Sequence, residues 1–312
     1  MANPVLSRRT LLQAGLLATS GLTIAAACSK IGAESGYQQL TLERVTVRIP
    51  KLPRAFEGYR IGFLTDMHLG IWMPQERILS ALDQLASEQL DLLVLGGDYI
   101  LTNENPLWPL LGYVRNERYA KLSARASIPL LFNDAAQILS HFSPPDGVIG
   151  VLGNHERWNS TQLCFDAFRP FPQIRLLVNE EFNVVRGEQS LSFFGVDDYL
   201  TGLPTLPPAR PLQNGVSSRI LISHNPDYLT ALLERGDSYF SLALCGHTHG
   251  GQICLPGLGP FAVPVTDKRF VAGLVKVNND VQVYTSRGLG MVGLPFRLNC
   301  PPEVTVFQIV AA

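Results

Sequence analysis

The chain alternates between short, continuous apolar runs and longer stretches in which apolar residues recur at helical spacing. The runs at 59–65, 91–95 and 147–152 are apolar almost throughout, which is typical of strands buried on both faces of a sheet. Between the first two runs, residues 74–90 show the apolar period of a helix that begins at a proline. The pattern predicts an α/β fold.

The second half of the chain continues this pattern and then becomes rich in strands. Asn225 is expected to cap a helix at 226–235, between strands at 219–223 and 242–245. Further predicted elements are a strand at 40–49, helices at 133–142 (capped by Asn133-Asp134) and 161–168, and strands at 270–277, 281–285 and 304–310. Alternating elements that end in strands predict two sheets packed face to face, with helices outside.

Polar side chains follow the carboxyl ends of five predicted strands. The five blocks are Asp66-Met67-His68, Gly97-Asp98, Gly153-Asn154-His155-Glu156, Ser223-His224-Asn225 and Gly246-His247-Thr248-His249. Ligands collect at the carboxyl ends of strands in α/β folds, so these side chains are expected to form one site. Nitrogen and oxygen donors without a thiolate suit manganese, iron or zinc better than calcium. Any one block alone would be an ordinary turn or cap, whereas together they predict a metal centre.

Composition and charge narrow the classes of protein. The 312 residues, of which 46% are hydrophobic and 16% charged, suffice for one large domain with a substantial core. The net charge of -1 and the pI of about 6.6 provide no basic footprint for a nucleic-acid backbone. A nuclease is therefore disfavoured, and no nucleic-acid partner is expected.

The first thirty residues resemble an export signal and are set apart from the domain at 31–312. Ser7-Arg8-Arg9-Thr10-Leu11-Leu12 opens an apolar stretch that ends near Ala27, a pattern similar to signals read by the twin-arginine export machinery. Cys28 follows three alanines, so the segment is cleaved there, carries an acylated Cys28 as a lipoprotein, or is retained as an anchor helix. We expect an exported protein, periplasmic or associated with the outer face of the cytoplasmic membrane.

Four cysteines lie beyond this segment, at Cys164, Cys245, Cys254 and Cys300. They lack C-x-x-C spacing, so neither a zinc knuckle nor a thioredoxin-type pair is indicated. We expect them to be small buried hydrophobic residues.

The five blocks, in this order between residues 59 and 302, resemble those of the calcineurin-like metallophosphoesterases. The segments 246–252, 255–257 (Leu-Pro-Gly) and 286–290 (Ser-Arg-Gly-Leu-Gly) are most similar to a bacterial branch of membrane-associated phosphodiesterases. That branch includes exported proteins and relatives that cleave UDP-2,3-diacylglucosamine. The resemblance implies a four-layer αββα sandwich with two mixed sheets.

The resemblance also implies roles for individual residues. Asp98 would bridge two divalent cations, and an activated water between them would attack phosphorus. The implied ligands are Asp66, His68 and His249 for one cation, and Asn154, His224 and His247 for the other. His155 would protonate the leaving oxygen, with Glu156 orienting it. Arg287 would either hold a phosphate oxygen or belong to a surface turn.

One departure from the family bears on the substrate. Protein Ser/Thr phosphatases carry an Asp-Arg pair shortly after the second block, whereas Leu101-Thr102 follows here. The departure argues against a protein phosphatase. The resemblance to the phosphodiesterase branch implies a phosphodiester or pyrophosphate bond of a lipid-linked or cell-envelope substrate, with a phosphomonoesterase and a non-catalytic metal-binding scaffold as alternatives.

An insertion at about 103–131 mixes aromatic and basic side chains. Its residues of these types are Trp108, Tyr113, Tyr119, Arg115, Arg118, Lys121 and Arg125. Such a mixture suits a membrane surface or a cap over a lipid-linked phosphate. The alternative is that the insertion packs its apolar residues on the main domain.

Overall fold

A computed structural model describes residues 40–102, 116–206, 216–237 and 240–312. The strands are β1 Thr41–Ile49, β2 Arg60–Leu64, β3 Leu92–Leu95, β4 Val148–Gly150, β5 Ile174–Leu176, β6 Glu180–Arg186, β7 Gln189–Gly195, β8 Val216–Ile222, β9 Leu242–Cys245, β10 Cys254–Leu255, β11 Gly259–Pro260, β12 Gly273–Lys276, β13 Gln282–Thr285 and β14 Glu303–Ala311. The helices are α1 Gln75–Ala86, α2 Glu117–Ala120, α3 Ala124–Leu139, α4 Asn154–Asn159, α5 Thr161–Phe168 and α6 Asp227–Glu234.

The described strands form two six-stranded mixed sheets and one small hairpin. The first sheet has the order β1-β14-β2-β3-β4-β5, and the second has the order β12-β13-β9-β8-β7-β6. Strands β2 to β5 run parallel in the first sheet, as do β13, β9, β8 and β7 in the second. Antiparallel pairing occurs between β14 and β2 and at both edges of the second sheet.

Alternating residues of the central strands pack into different layers. In β3, Leu92 and Val94 face the core between the two sheets, whereas Leu93 and Leu95 face the core under the helices. The inter-sheet core also takes Phe193 and Ile220 from the second sheet. On the far side of the second sheet, a third core contains residues of α6. These layers are the four-layer αββα arrangement, so the predicted fold class is confirmed.

The predicted and observed elements differ most at 133–142. Helix α3 begins earlier, and Ser123 caps it through a bond from the Ala126 amide to its Oγ. Asn133-Asp134 lies inside the helix and does not cap it. The Asp134 carboxylate instead accepts hydrogen bonds from the Tyr119 hydroxyl at 2.7 Å and from Arg118 at 3.0 Å. The prediction that this pair starts a helix was wrong because its partners are tertiary. Strands β5, β6 and β7 and helix α4 were also not predicted.

The described residues do not include the signal segment at 1–30 or residues 103–115 of the insertion, among them Trp108 and Tyr113. The rest of the insertion forms α2 and the start of α3, with Tyr119 buried in the core under the helices. This part packs on the main domain. In the ranges that the structure describes, no helix has both the length and the apolar character needed to cross a membrane.

Phe307 joins the two sheets and provides a test of the core. Its buried ring contacts Tyr284 edge-on at 4.9 Å and Phe63 at 6.3 Å. Phe307→Ala should reduce the free energy of unfolding by about 3–5 kcal/mol, measured by urea denaturation, because it leaves a cavity in this core. Val185→Ala, which changes a side chain exposed on β6, should change it by less than about 0.5 kcal/mol. Equal effects of the two variants would contradict this packing.

Candidate metal centre

The predicted ligands meet where strands of both sheets end. Asp66 and Asp98 follow β2 and β3 of the first sheet, and His224 and His247 follow β8 and β9 of the second. Three sets of acidic and histidine side chains have ligand atoms within 4.8 Å of one another: Asp66, His68 and His249; His68, Asp98 and His155; and Asp98, His224 and His247. All of these side chains are buried.

The backbone at the predicted ligands is unusual. Asp66, His68, Asp98, His247 and His249 all have positive φ, between 47° and 69°. This left-handed region is unfavourable for residues with a Cβ and is occupied mainly where the surrounding structure enforces it. Here bonds between blocks enforce it, such as those from the Asp66 amide to the Gly97 carbonyl and from the His68 amide to the Asp98 carbonyl.

Asp98 lies between the two halves of the cluster. Its Oδ2 is 3.5 Å from His68 Nε2 and 3.3 Å from His224 Nε2, and these two nitrogens belong to different sets. Its Oδ1 accepts a hydrogen bond from the His155 amide at 2.9 Å. One carboxylate oxygen thus faces ligand atoms on both sides, as the bridging role implied for Asp98 requires.

The first set gathers around Asp66. His249 Nε2 is 3.5 Å from Asp66 Oδ1 and 3.0 Å from His68 Nε2. The Asp66 carboxylate also accepts hydrogen bonds from the His247 amide and the Thr65 hydroxyl. Two ring nitrogens and a carboxylate oxygen therefore converge on one volume, which suits a cation bound by nitrogen and oxygen.

The ligands predicted for the other cation, Asn154, His224 and His247, include buried polar atoms that form no hydrogen bond to the described part of the protein. His224 Nδ1 donates a hydrogen bond to the Gly96 carbonyl at 2.8 Å, which leaves the lone pair of the neutral ring on Nε2. Asn154 Oδ1 is buried and has no hydrogen-bond partner among the described residues, and the buried His224 Nε2 faces Asp98 Oδ2 at 3.3 Å without a hydrogen bond of good geometry. Buried polar atoms normally have partners, so these two donor atoms fit a bound cation.

Burial sets the protonation of the rings for metal binding. It lowers the pKa of His68 to about 3 and that of His247 to about 4, and it holds the pKa of His249 well below the usual range. At neutral pH these three rings are therefore neutral, as a metal ligand must be. His224 differs: although burial opposes its charge, the adjacent Asp98 raises its pKa. Without a bound cation, a proton on His224 would compensate part of the negative charge of Asp98.

The comparisons with known proteins agree with this geometry. A model of the calcineurin-like phosphoesterase family matches residues 59–251. The chain belongs to this family. It is 32% identical over 257 residues to the phosphodiesterase YaeI of Escherichia coli K12, with 81% of this chain and 82% of that protein covered. It is 30% identical over 273 residues to the uncharacterized metallophosphoesterase YkuE of Bacillus subtilis 168, covering 85% and 83%. An uncharacterized metallophosphoesterase of Aquifex aeolicus is 27% identical over 281 residues, covering 86% and 92%.

This phosphoesterase is therefore a metal-dependent hydrolase, and its clusters provide candidate ligands for divalent cations. The individual roles of the ligands remain predictions, although every predicted aspartate and histidine ligand lies in this one centre and Asn154 precedes His155 at its edge. His155 lies at its edge, with its Nε2 4.0 Å from Asp98 Oδ2 and its ring packed edge-on against His68 and Trp158. By distance alone, His155 is placed either to bind a cation or to reach a substrate.

Glu156 has a different role from the one predicted for it. Its carboxylate accepts hydrogen bonds from the amides of Asp98, Tyr99 and Gly153, at 2.8 to 2.9 Å. All of its recorded hydrogen bonds are to backbone and none is to the His155 ring, so orientation of His155 is not supported. Glu156 instead ties the loop after β3 to the start of α4, and thereby positions Asp98. Sequence reasoning missed this because the three amides come from two distant segments.

Arg287 is held by acidic residues. Its guanidinium lies 2.6 Å from the buried Glu303 and 2.7 Å from Glu43, and its Nε donates to the Pro301 carbonyl. The structure gives no support to the predicted phosphate contact, because these two carboxylates already neutralise the guanidinium. The salt bridges tie the turn at Arg287 to β1 and β14.

Two further residues near the centre were not predicted. The buried Arg297 donates hydrogen bonds to the His249 carbonyl at 3.2 Å and to His249 Nδ1 at 3.3 Å, which fixes that ring. Asp198 is buried, and its charge opposes the effect of burial on the pKa of both His224 and His247. The signal for Asp198 was present in the sequence, since Asp197-Asp198 follows an apolar run as the five blocks do.

The position of Glu156 generates a prediction about metal content. Glu156→Gln replaces one accepting oxygen with an amide donor that would face backbone N–H groups. It should cost about 1–3 kcal/mol of unfolding free energy and reduce metal content below that of the wild type, measured by plasma mass spectrometry after gel filtration. Glu180→Gln, at an exposed ion pair with Arg175, is the control and should change neither. Full metal content in Glu156→Gln would show that Asp98 does not depend on this carboxylate.

Proposed function

We propose that the protein hydrolyses a phosphodiester or pyrophosphate bond of a lipid-linked or cell-envelope substrate. The observation that carries the proposal is the position of Asp98 Oδ2, between His68 of one ligand set and His224 of the other. Two bound divalent cations, of manganese, iron or zinc, would lower the pKa of water and neutralise the phosphate charge. The phosphodiesterase YaeI, whose name states this reaction class, is a relative over most of the chain.

The protein itself contributes the ligand geometry and a proton donor. His155 borders the Asp98 carboxylate, and its side chain retains partial access to solvent. An imidazole can hold and release a proton, so a ring in this position can give a proton to the departing oxygen of the ester. The Asp98 carboxylate accepts a bond from the His155 amide, which keeps this residue beside the centre.

Exposed apolar side chains, of which Trp158 lies beside the centre, support an amphiphilic substrate. Trp158 is 60% exposed while its ring packs edge-on against His155, at 5.0 Å between centroids. Leu258 and Phe261, which are 81% and 76% exposed, lie in the segment that follows the last predicted ligand, His249. Exposed apolar groups of this size near a site suit the acyl or prenyl part of a lipid.

Export remains part of the proposal. The Arg8-Arg9 segment supports passage through the twin-arginine machinery, and Cys28 supports cleavage or acylation at that residue. An exported enzyme would meet a phospholipid, a teichoic-acid-like polymer or a peptidoglycan-linked phosphate, whereas a UDP-linked lipid would be met in the cytoplasm. We therefore favour a substrate on the outer face of the cytoplasmic membrane.

The test of the function uses the metal-loaded protein and one variant. The wild type should bind about two divalent cations and hydrolyse bis-p-nitrophenyl phosphate in a manganese-dependent way. His155→Ala should retain the metal and reduce kcat by about a hundredfold or more, because it removes a positioned acid. Metal content and turnover are measured on the same samples.

Each other outcome of this experiment contradicts a stated part of the proposal. Bound metal without turnover on any diester would favour a binding scaffold over an enzyme. Loss of metal from His155→Ala would make this residue a ligand. Unchanged turnover in the variant would leave the proton donor to another group.

The exposed Trp158 generates a prediction about the substrate. Trp158→Ala should reduce kcat/KM on a lysophospholipid by about tenfold or more, because burying an aromatic side chain against an acyl chain contributes roughly 1.5–3 kcal/mol. Turnover of methyl p-nitrophenyl phosphate, which has no acyl chain, should change much less. Val185→Ala is the matched control for loss of exposed apolar surface, because Val185 pairs with Ser190 at the start of β7, away from the strand ends that precede the predicted ligands. An equal loss on both substrates would mean that Trp158 acts through His155.

A further inference from the structure

Two thiols meet beside the loop that carries the last predicted metal ligand. Cys254 lies at the start of β10, and Cys300 lies just before β14. Both thiols donate to the same acceptor, the Gly250 carbonyl, at 3.4 and 3.5 Å. Residues distant in the sequence thus bring two sulfur atoms together.

The backbone holds the two segments side by side. The Cys254 amide donates to the Leu298 carbonyl at 2.8 Å, and the Leu298 amide donates to the Gln252 carbonyl at 3.0 Å. The Asn299 side chain adds a bond to the Cys254 carbonyl at 2.9 Å. Two backbone hydrogen bonds and one from the Asn299 side chain therefore hold the two segments side by side next to the thiols.

The other described cysteines are excluded as partners. Cys164 lies in the core between the first sheet and the helices, and Cys245 lies in the core on the outer side of the second sheet. Both are fully buried, whereas Cys254 is partly open to solvent. A small oxidant can therefore reach Cys254, and the thiol placed to resolve the product is Cys300.

We propose that Cys254 and Cys300 form a disulfide when the protein meets a disulfide-bearing oxidant. The Cys254 sulfur, having lost its proton, attacks the oxidant and releases one of its two thiols, which leaves a mixed disulfide. The Cys300 sulfur then loses its proton, attacks Cys254 Sγ and releases the second thiol. The two cysteines lose two electrons and two protons, and the oxidant gains both, so the exchange is balanced.

The bond would secure the loop of the last predicted ligands. Cys300 Sγ donates to the His249 carbonyl at 3.2 Å, and Arg297, three residues before Cys300, donates to the same carbonyl. A ring closed between 254 and 300 would join both contacts covalently to the segment after His249. It would also restrict the unfolded chain, which is the usual origin of stabilisation by a disulfide. An exported protein enters the kind of compartment where such bonds persist.

The experiment uses the full chain, which contains 5 cysteines. Protein reduced with dithiothreitol is compared with protein treated with oxidised glutathione, and each sample is then denatured, alkylated and mapped by mass spectrometry. We expect a linked pair of peptides containing Cys254 and Cys300, with two fewer alkylated thiols than in the reduced sample. The oxidised protein should melt roughly 5–10 °C higher, and dithiothreitol should reverse this shift.

Single variants identify the bond. Cys254→Ser and Cys300→Ser should each abolish the linked peptides and the redox-dependent shift in Tm, whereas Cys28→Ser should retain both. Each of three results would overturn the proposal. They are a glutathione adduct on Cys254 with Cys300 still alkylated, a link to Cys28, and identical peptide maps before and after oxidation. These readouts involve neither substrate nor added metal, so their failure is separate from failure of the proposed phosphodiesterase function.

Discussion

The burial of two carboxylates, Asp66 and Asp98, is the constraint on which the rest of the structure depends. Both are at most 2% exposed, and in the described part of the chain no lysine or arginine forms an ion pair with either. Burial keeps most of the surrounding imidazoles neutral, so the rings supply lone pairs and little positive charge. An isolated buried carboxylate is strongly disfavoured. Bound divalent cations would remove this cost, which would explain why acidic and neutral donors are combined at one place in the fold.

The same constraint accounts for the local backbone. At three of the five blocks the chain turns sharply directly after the strand, and left-handed residues such as Asp66, Asp98 and His247 make those turns. Each such residue with a Cβ costs on the order of 1–2 kcal/mol. Glu156 offsets part of that cost by accepting three amides around Asp98, and Arg297 contributes on the His249 side. The predicted ligands are thus held by a shell of groups that do not bind metal.

The layers of the fold and the residues of the site were predictable because each is indicated by a short, continuous stretch of sequence. Buried strands appear as apolar runs, and each ligand follows a run directly, as His224 follows β8. Prediction failed where a side chain is defined by a distant partner. From the sequence, Asp134 was interpreted as part of a helix cap, but its partners are Tyr119 and Arg118. Arg287 was interpreted as a phosphate contact, but it forms a salt bridge with Glu303. The β6–β7 hairpin was missed because β6 lies at a sheet edge, where most of its residues face solvent and the apolar signal is weak.

Most of the predicted ligands and most of the exposed apolar side chains lie in different parts of the chain. The predicted ligands follow strands of the two sheets, whose positions are set by the inter-sheet core, so a change in a surface loop leaves them in place. Exposed apolar side chains lie on α4, which also carries Asn154 and His155, and in the segments after β7 and β10, as Trp158, Leu203 and Leu258 show. Side chains on the surface are less constrained by packing than those of the core. One metal centre can therefore be combined with different exposed surfaces, and under the proposed function we expect substrate choice to depend on these surface side chains more than on the predicted ligands.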